Sequence, residues 1–242
     1  MTDWEAVFWD IGGVILDSAS LRDAQRAFVG WLVDEYDSDR STAEAFDRWQ
    51  ATLSAYFGAR EGTEFLPARV GYARAIDAIL GDAGGGDADA SETVAWQAQY
   101  DACLARHLRP KPHAVETIHA LTDLDLHLGV VSDIDTREGA FVLETFGVRD
   151  AFDSVTTSEA VGRTKPNASM FETALDAAQV PPEHALMIGD RYRHDIEGAS
   201  RVGLTTVAYG AADGPAVEYR IDSLDQVLDI VRGDRLPDGD AR

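Results

Sequence analysis

The first clear pattern in the sequence is a continuous apolar run, Ala6–Trp9, that leads directly into Asp10. Continuous rather than alternating apolar runs are typical of the central strands of parallel sheets, which are buried on both faces. We therefore predict a buried strand over residues 5–10. Asp10 is then expected to lie exposed at the carboxyl end of this strand.

A helical pattern replaces the strand pattern from about Ser20. Apolar residues recur every three or four positions, which predicts amphipathic helices. A glycine- and aspartate-rich stretch, GDAGGGDADAS (81–91), has no periodicity and predicts a mobile loop. We expect four helices in this block, beginning near Leu21, Thr42, Pro67 and Glu92.

The second half of the chain alternates between strand and helix patterns. This alternation predicts an α/β fold, a Rossmann-like parallel sheet with helices on both faces. Residues 1–18 and 109–242 would form this core, and residues 19–108 an inserted α-helical domain. The predicted strands are 126–132, 152–157, 185–190 and 204–210, and the predicted helices are 113–124, 137–146, 168–179 and 196–202.

Charge narrows the possible partners. The 242 residues include 43 acidic and 21 basic side chains, a net charge of −22, and Lys111 and Lys165 are the only lysines. Such a surface argues against nucleic acids and anionic membranes as partners. It predicts either a salt-adapted protein or an ordinary acidic enzyme. Without an apolar stretch of membrane-spanning length or a signal peptide, we expect a cytoplasmic protein, in which the single Cys103 is a small buried side chain.

Polar residues with possible chemistry follow the predicted strands. Taken singly, Asp10, Ser132 and Asp190 could cap turns or helices, Asp195 could be a solvated residue at a helix start, and Lys165 could lie on the surface. Taken together, they lie at or beyond the carboxyl ends of strands, where parallel sheets bind ligands. This set contains what phosphoryl transfer requires: a nucleophilic carboxylate, donors for phosphoryl oxygens, a fixed cation and acidic ligands for a hard metal ion.

Each residue then has an expected role. Asp10 would be the nucleophile and a Mg²⁺ ligand, and Ser132 with the following backbone N–H groups would bind phosphoryl oxygens. Lys165 would offset the negative charge of the carboxylates and the phosphate. Asp190 would bind Mg²⁺ directly, and Asp195 either directly or through water.

Four segments resemble motifs of the haloacid dehalogenase superfamily, specifically its phosphatase-like members with a helical cap. They are VFWDIGGVI, LGVVSD, GRTKPNASMF and LMIGDRYRHDIEGASRVGLTTV, and the ending EYRIDSLDQVL is similar to the last strand and helix of that family. The resemblance implies Mg²⁺ and an aspartyl-phosphate intermediate. It also implies that the carbonyl of Gly12 binds the metal, that Asp10 and Lys165 are catalytic, and that Ser132, Asp133 and Lys165 bind substrate.

Position 12 departs from the usual phosphatase pattern. The family has an aspartate there, which protonates the leaving group and then activates water, whereas this chain has Gly12. The leading hypothesis is a Mg²⁺-dependent phosphatase of a small phosphorylated metabolite, with the cap selecting the substrate. A dehalogenase without metal and a non-catalytic phosphate-binding protein are the alternatives. The sequence does not decide between a monomer and a homodimer.

Overall fold

A computed structural model describes residues 4–81 and 90–234. The chain divides into two compact units, residues 1–17 with 110–242, and residues 18–109. Each boundary between the two units is shifted by one residue from the boundary predicted from the sequence. The role of the helical unit as a cap remains a prediction.

The larger unit is built on a parallel sheet of six strands in the order β3-β2-β1-β4-β5-β6. The predicted Rossmann-like α/β fold is therefore confirmed. Because β1 pairs with β2 on one side and β4 on the other, the first strand of the chain lies in the middle of the sheet. The strands are β1 (Ala6–Trp9), β2 (His127–Ser132), β3 (Ser154–Thr157), β4 (Ala185–Gly189), β5 (Thr205–Tyr209) and β6 (Tyr219–Ile221).

The central strands are buried because both faces of the sheet are covered. Every residue of β1 and β4 is buried, as their continuous apolar runs predict. On one face, Phe8 and Met187 pack with Met170 and Phe171 in a single apolar cluster. The helices of this unit are α5 (Ala114–Leu121), α6 (Thr136–Thr145), α7 (Ser158–Val161), α8 (Ala168–Ala178), α9 (Glu197–Arg201) and α10 (Gln226–Arg232).

Not every local element was predicted. The segment Tyr192–Ile196 forms a π-helical turn, and α9 begins only at Glu197, one residue later than expected. The short helix α7 was also absent from the sequence prediction. The π-helical turn matters because it follows β4 and contains the candidate Asp195.

The described residues of the smaller unit form four helices, the number predicted, which pack around aromatic side chains. The ring of Phe28 lies 5.7 Å from that of Trp49 and 5.1 Å from that of Tyr100, and Trp49 stacks on Tyr72 at 5.4 Å. Cys103 is buried, as expected. The predicted loop 81–91 lies mainly in residues 82–89, outside the described residues. The helices are α1 (Ser18–Glu35), α2 (Thr42–Gly58), α3 (Ala68–Leu80) and α4 (Ala90–His107).

Within residues 4–81 and 90–234, no helix combines the length and apolar character that membrane crossing requires.

Candidate active site

Three candidate residues lie side by side because their strands are neighbours. Asp10 follows β1, Ser132 ends β2 and Asp190 follows β4. In the register of the sheet, Trp9 pairs with both Val130 and Ile188. All three candidates therefore lie at the carboxyl edge of the sheet, where ligands bind in folds of this type.

Lys165 forms ion pairs with two carboxylates of the site, those of Asp10 and Asp195. Its Nζ lies 3.0 Å from Oδ1 of Asp10 and 2.6 Å from Oδ1 of Asp195. The same ammonium donates a hydrogen bond of 2.9 Å to the carbonyl of Val131. Lys165 has 0% of its surface exposed, so it is not the surface lysine that a single-residue interpretation would suggest.

Asp10 is also buried, with 3% of its surface exposed, and the expectation that it would be exposed is wrong. The carboxylate turns inward because its Oδ1 accepts a hydrogen bond of 2.8 Å from the backbone N–H of Ile11 as well as facing Lys165. The Ser132 hydroxyl, itself buried, is a further hydrogen-bond partner of this carboxyl group. The predicted nucleophile is therefore held by fixed donors rather than by solvent.

The pKa values of the buried pair follow from burial and charge. Burial raises the pKa of Asp10 to about 6, against the lowering effect of the Lys165 ammonium. Burial alone would lower the pKa of Lys165, but the carboxylates of Asp10 and Asp195 raise it well above its usual range. Lys165 is therefore charged at neutral pH and provides the fixed positive charge that the sequence predicts.

Asp10, Asp190 and Asp195 form one acidic cluster. Each offers a carboxylate oxygen, and these three oxygens lie within 4.8 Å of one another. The cluster is this tight because glycines face it. A Cβ atom on Gly13 would lie 1.9 Å from Oδ2 of Asp190, and one on Gly189 would lie 2.1 Å from the Cβ of Asp195.

The cluster fits a hard divalent cation such as Mg²⁺. Oδ1 of Asp190 is buried and has no hydrogen-bond partner among the described residues. A buried carboxylate oxygen without a partner is costly unless a cation or a water occupies its free side. Asp195 differs, because its Oδ1 faces Lys165 and its Oδ2 accepts a hydrogen bond of 2.8 Å from the backbone N–H of Arg191.

Gly12 and Gly13 occupy different backbone environments. Gly13 has a φ of 79°, a value that side chains rarely adopt, whereas Gly12 does not have a positive φ. A Cβ atom on Gly12 would meet nothing within 4 Å. The backbone and the space around Gly12 therefore admit the aspartate that the family pattern has at this position.

Asp133 contacts protein groups that border the site. Its Oδ1 accepts a hydrogen bond of 2.7 Å from the backbone N–H of Lys165, and its Oδ2 lies 2.8 Å from Nη2 of Arg191 and 3.5 Å from Nδ1 of His194. Burial alone would raise the pKa of Asp133, but the neighbouring His194 ring and the Lys165 charge lower it to about 2. Asp133 therefore connects the loop of Lys165 to the π-helical turn.

Sequence reasoning missed Arg191 and His194. Both lie within the segment GDRYRHD, between Asp190 and Asp195, the two residues predicted to bind the metal ion. The π-helical turn places Arg191 against Asp133, and no periodicity in five residues distinguishes such a turn from an α-helical start. The excess of arginine over lysine was the one available signal, and it pointed to no particular position.

The family follows from comparison with known proteins. A family model described as haloacid dehalogenase-like hydrolase matches residues 4–203. The chain belongs to this family. It is therefore a haloacid dehalogenase-like (HAD-like) hydrolase, in agreement with the resemblance seen in the sequence.

Several curated relatives of this HAD-like hydrolase carry phosphatase names. The chain is 26% identical to the glyceraldehyde 3-phosphate phosphatase of Methanopyrus kandleri, over 94% of this chain and 97% of that protein. It is 34% identical to the protein of the same name from Methanocaldococcus jannaschii, over 52% of this chain and 58% of that protein. It is 30% identical to the ribulose-1,5-bisphosphate 5-phosphatase of Halopiger xanaduensis, over 66% of this chain and 70% of that protein.

Solved structures show the same fold. A HAD phosphatase from Thermococcus onnurineus is similar with a TM-score of 0.67 and 24% identity, over 96% of this HAD-like hydrolase and 100% of that chain. A 2-haloacid dehalogenase from Pseudomonas syringae pv. Tomato has a TM-score of 0.71 and 20% identity, over 95% and 99% of the two chains. Because phosphatases and dehalogenases both match, the fold does not choose between the two reactions.

Proposed function

We propose that this hydrolase is a Mg²⁺-dependent phosphatase of a small phosphorylated metabolite, acting through an aspartyl-phosphate on Asp10. The observation that carries the proposal is the buried Lys165, which pairs with Asp10 and Asp195 while Asp190 completes an acidic cluster within 4.8 Å. Buried charge of this kind often costs stability, and strongly perturbed pKa values cluster at functional sites. The phosphatase names of the relatives support the same reaction.

In the first step, a carboxylate oxygen of Asp10 attacks phosphorus, and the bond from phosphorus to the leaving oxygen breaks. Lys165 balances charge on the attacking carboxylate, to which its Nζ lies at 3.0 Å. Ser132 and the backbone N–H groups after it bind the phosphoryl oxygens. Asp190, Asp10 and the Gly12 carbonyl would hold Mg²⁺, with Asp195 in an outer position. When bound, the cation offsets the repulsion between the carboxylate and the phosphate.

In the second step, water attacks phosphorus and the bond from phosphorus to Asp10 breaks, which releases inorganic phosphate and restores the carboxylate. A positioned acid or base typically contributes about 10² to 10⁴ in rate. Because Gly12 supplies neither, the leaving oxygen takes its proton from water, and the second step lacks a fixed base. We therefore infer slow turnover and a preference for good leaving groups.

The dehalogenase alternative uses the same nucleophile but needs no metal. Displacement at carbon does not use a cation site, so it leaves the buried, unpartnered oxygen of Asp190 without a purpose. The third candidate, a non-catalytic phosphate-binding protein, rests on Gly12 alone. The acidic cluster therefore favours the phosphatase over the dehalogenase, and the phosphatase names of several relatives favour it over the non-catalytic protein.

Hydrolysis of a chromogenic phosphate ester, with and without Mg²⁺, tests the proposal. We expect phosphate release that requires Mg²⁺ and is abolished in Asp10→Asn. Asp17→Asn is the matched control, since Asp17 lies on the same segment but outside the cluster. Metal-independent halide release from a 2-haloacid would favour the dehalogenase. Absence of both activities, with Mg²⁺ still bound, would favour the non-catalytic protein.

We also infer that the enzyme works in a salt-rich cytoplasm. The net charge is −22, and acidic residues such as Asp34, Glu35 and Asp37 are exposed near the end of α1. Repulsion among such charges weakens as salt screens them. The temperature of unfolding should therefore rise between low and molar KCl, and an unchanged temperature would favour an ordinary acidic enzyme.

A further inference from the structure

Lys111 is the one lysine that the proposed mechanism does not use. The chain has only two lysines among its 242 residues, and the other, Lys165, is buried in the site. Lys111 lies in the sequence PKP (110–112), directly after the helical unit. It is half-buried rather than extended into solvent.

The backbone of Lys111 is attached to the turn that follows the nucleophile. Its N–H donates a hydrogen bond of 2.8 Å to the carbonyl of Ile15, and Leu16 forms a bridge with Pro110. Leu16 forms a second bridge with Gly12, and its carbonyl accepts a hydrogen bond of 2.9 Å from the N–H of Gly13. The turn from residues 12 to 16 thus connects Lys111 to the cluster, because Gly13 contacts Asp190.

The side chain of Lys111 reaches the carboxyl end of β5. Its Nζ lies 5.8 Å from the centre of the Tyr209 ring, within the range of a cation–π contact. Tyr209 follows Ala208, which pairs with Gly189, the residue before Asp190. Neighbouring strands are about 4.8 Å apart, so Tyr209 lies one strand beyond Asp190 and about two strand spacings from Asp10. The ammonium is therefore at the same edge as the site but outside the acidic cluster.

This ammonium has no anionic partner in the part of the chain that the structure describes. Within residues 4–81 and 90–234, Lys111 takes part in no ion pair, although the chain has 43 acidic residues. An aromatic face holds a cation in place without neutralising it. A positive charge that is positioned but not neutralised, beside a phosphate site, is suited to a second anionic group of the same ligand.

We propose that Lys111, supported by the Tyr209 ring, binds a second anionic group of the substrate. The substrate class is then a short metabolite with a phosphate at one end and a carboxylate or another phosphate at the other. This inference rests on the proposed phosphatase function, because the phosphate to be cleaved must occupy the Asp10 site. Both residues belong to the larger unit, so the selection does not depend on the helical unit.

Equilibrium binding to Asp10→Asn protein tests this proposal without turnover. Dissociation constants are measured by calorimetry with Mg²⁺ at low salt for two ligands with a second anionic group, 3-phosphoglycerate and ribulose 1,5-bisphosphate, and for glycerol 3-phosphate, which has none. In Lys111→Met, the affinity for a two-anion ligand should fall about tenfold more than the affinity for glycerol 3-phosphate, because one charge-assisted contact is lost. Lys111→Arg should largely keep the preference for two-anion ligands. Tyr209→Leu should reduce that preference more than Tyr209→Phe does.

A matched control separates a local contact from the loss of net charge. Arg201→Met removes one positive charge from the same unit, but Arg201 ends α9 near the start of β5, at the opposite edge of the sheet. It should leave the preference unchanged. If glycerol 3-phosphate binds but Lys111→Met weakens all three ligands equally, or if Arg201→Met has the same effect, the second-anion site is overturned and the phosphatase proposal stands. If none of the three ligands binds, both proposals fail.

Discussion

The two units of the chain bury side chains of opposite character. In the helical unit, Phe28, Trp49 and Tyr100 pack their rings at 5.1 to 6.5 Å. At the sheet edge of the larger unit, Lys165 and Asp195 are as fully buried as those rings, but they are charged. Aromatic packing stabilises a fold, whereas buried ion pairs often contribute nothing or cost stability. If the aromatic cluster serves stability and the charged cluster serves the proposed chemistry, substitutions in the two units should have opposite effects.

The largest effect is expected from the nucleophile. Asp10→Asn should lower kcat by at least about 10³-fold, since no other carboxylate replaces an attacking group. Its free energy of unfolding should change by less than about 1 kcal/mol, because a neutral amide is cheaper to bury and Lys165 keeps Asp195 as a partner. Urea unfolding and steady-state kinetics measure the two quantities. A stable variant that retains full activity would contradict the assignment of Asp10.

In the aromatic cluster, by contrast, a substitution should lower stability and leave Mg²⁺ affinity unchanged. Trp49 has 0% of its surface exposed, so Trp49→Ala should destabilise the helical unit by about 3 to 5 kcal/mol through the cavity that it leaves. Mg²⁺ affinity should stay the same, because the acidic cluster proposed to bind the ion lies wholly in the larger unit. Calorimetric unfolding and Mg²⁺ titration measure both, with Trp49→Phe as the milder control. A loss of Mg²⁺ affinity at unchanged stability would contradict this division of roles between the two units.

The two neighbouring glycines of the charged region should respond in opposite directions. Gly12→Asp restores an acid and base where the backbone permits a side chain, so kcat should rise by about 10²-fold. Gly13→Ala should instead lower Mg²⁺ affinity and activity, because φ is 79° and the new Cβ would lie 1.9 Å from Oδ2 of Asp190. A folded Gly12→Asp variant with unchanged or lower activity would show that another group already fills the role.

The smallest effect concerns a charged residue at the border of the site. The pKa of Asp133 falls from 3.8 to about 2 on folding, so its stabilising contribution is present above about pH 4 and is lost as the pH falls toward 2. The side chain is 13% exposed, and the shift corresponds to roughly 2 kcal/mol at neutral pH. Asp133→Asn should lower the free energy of unfolding by that amount at pH 6 and by less below pH 4. A difference independent of pH would contradict this.

Much of this arrangement could be predicted from the sequence. Continuous apolar runs gave the central strands, and the polar residue after each run gave Asp10, Ser132 and Asp190, because parallel strands end at one edge. The burial of the acidic cluster could not be predicted. The burial of Asp10 depends on Lys165, which is distant in sequence, and strand patterns do not reveal which way a terminal side chain turns.

The connections around the site were also beyond sequence reasoning. Arg191 reaches Asp133 because a π-helical turn follows β4, and five residues contain too little periodicity to specify such a turn. Lys111 was visible only as a rare residue type in the sequence. Its position over Tyr209 depends on the turn after β1 and on the sheet order.

The most direct test of the central claim is to identify the residue that carries phosphate during turnover. The enzyme is mixed rapidly with a phosphate ester and Mg²⁺ and quenched in acid, and its peptides are examined by mass spectrometry. If Gly12 leaves hydrolysis of the proposed intermediate without a positioned base, phosphate should accumulate at Asp10, directly after β1, following a burst of leaving-group release. Phosphate on Asp17 or any other carboxylate, or steady turnover with no phosphorylated peptide, would contradict the account.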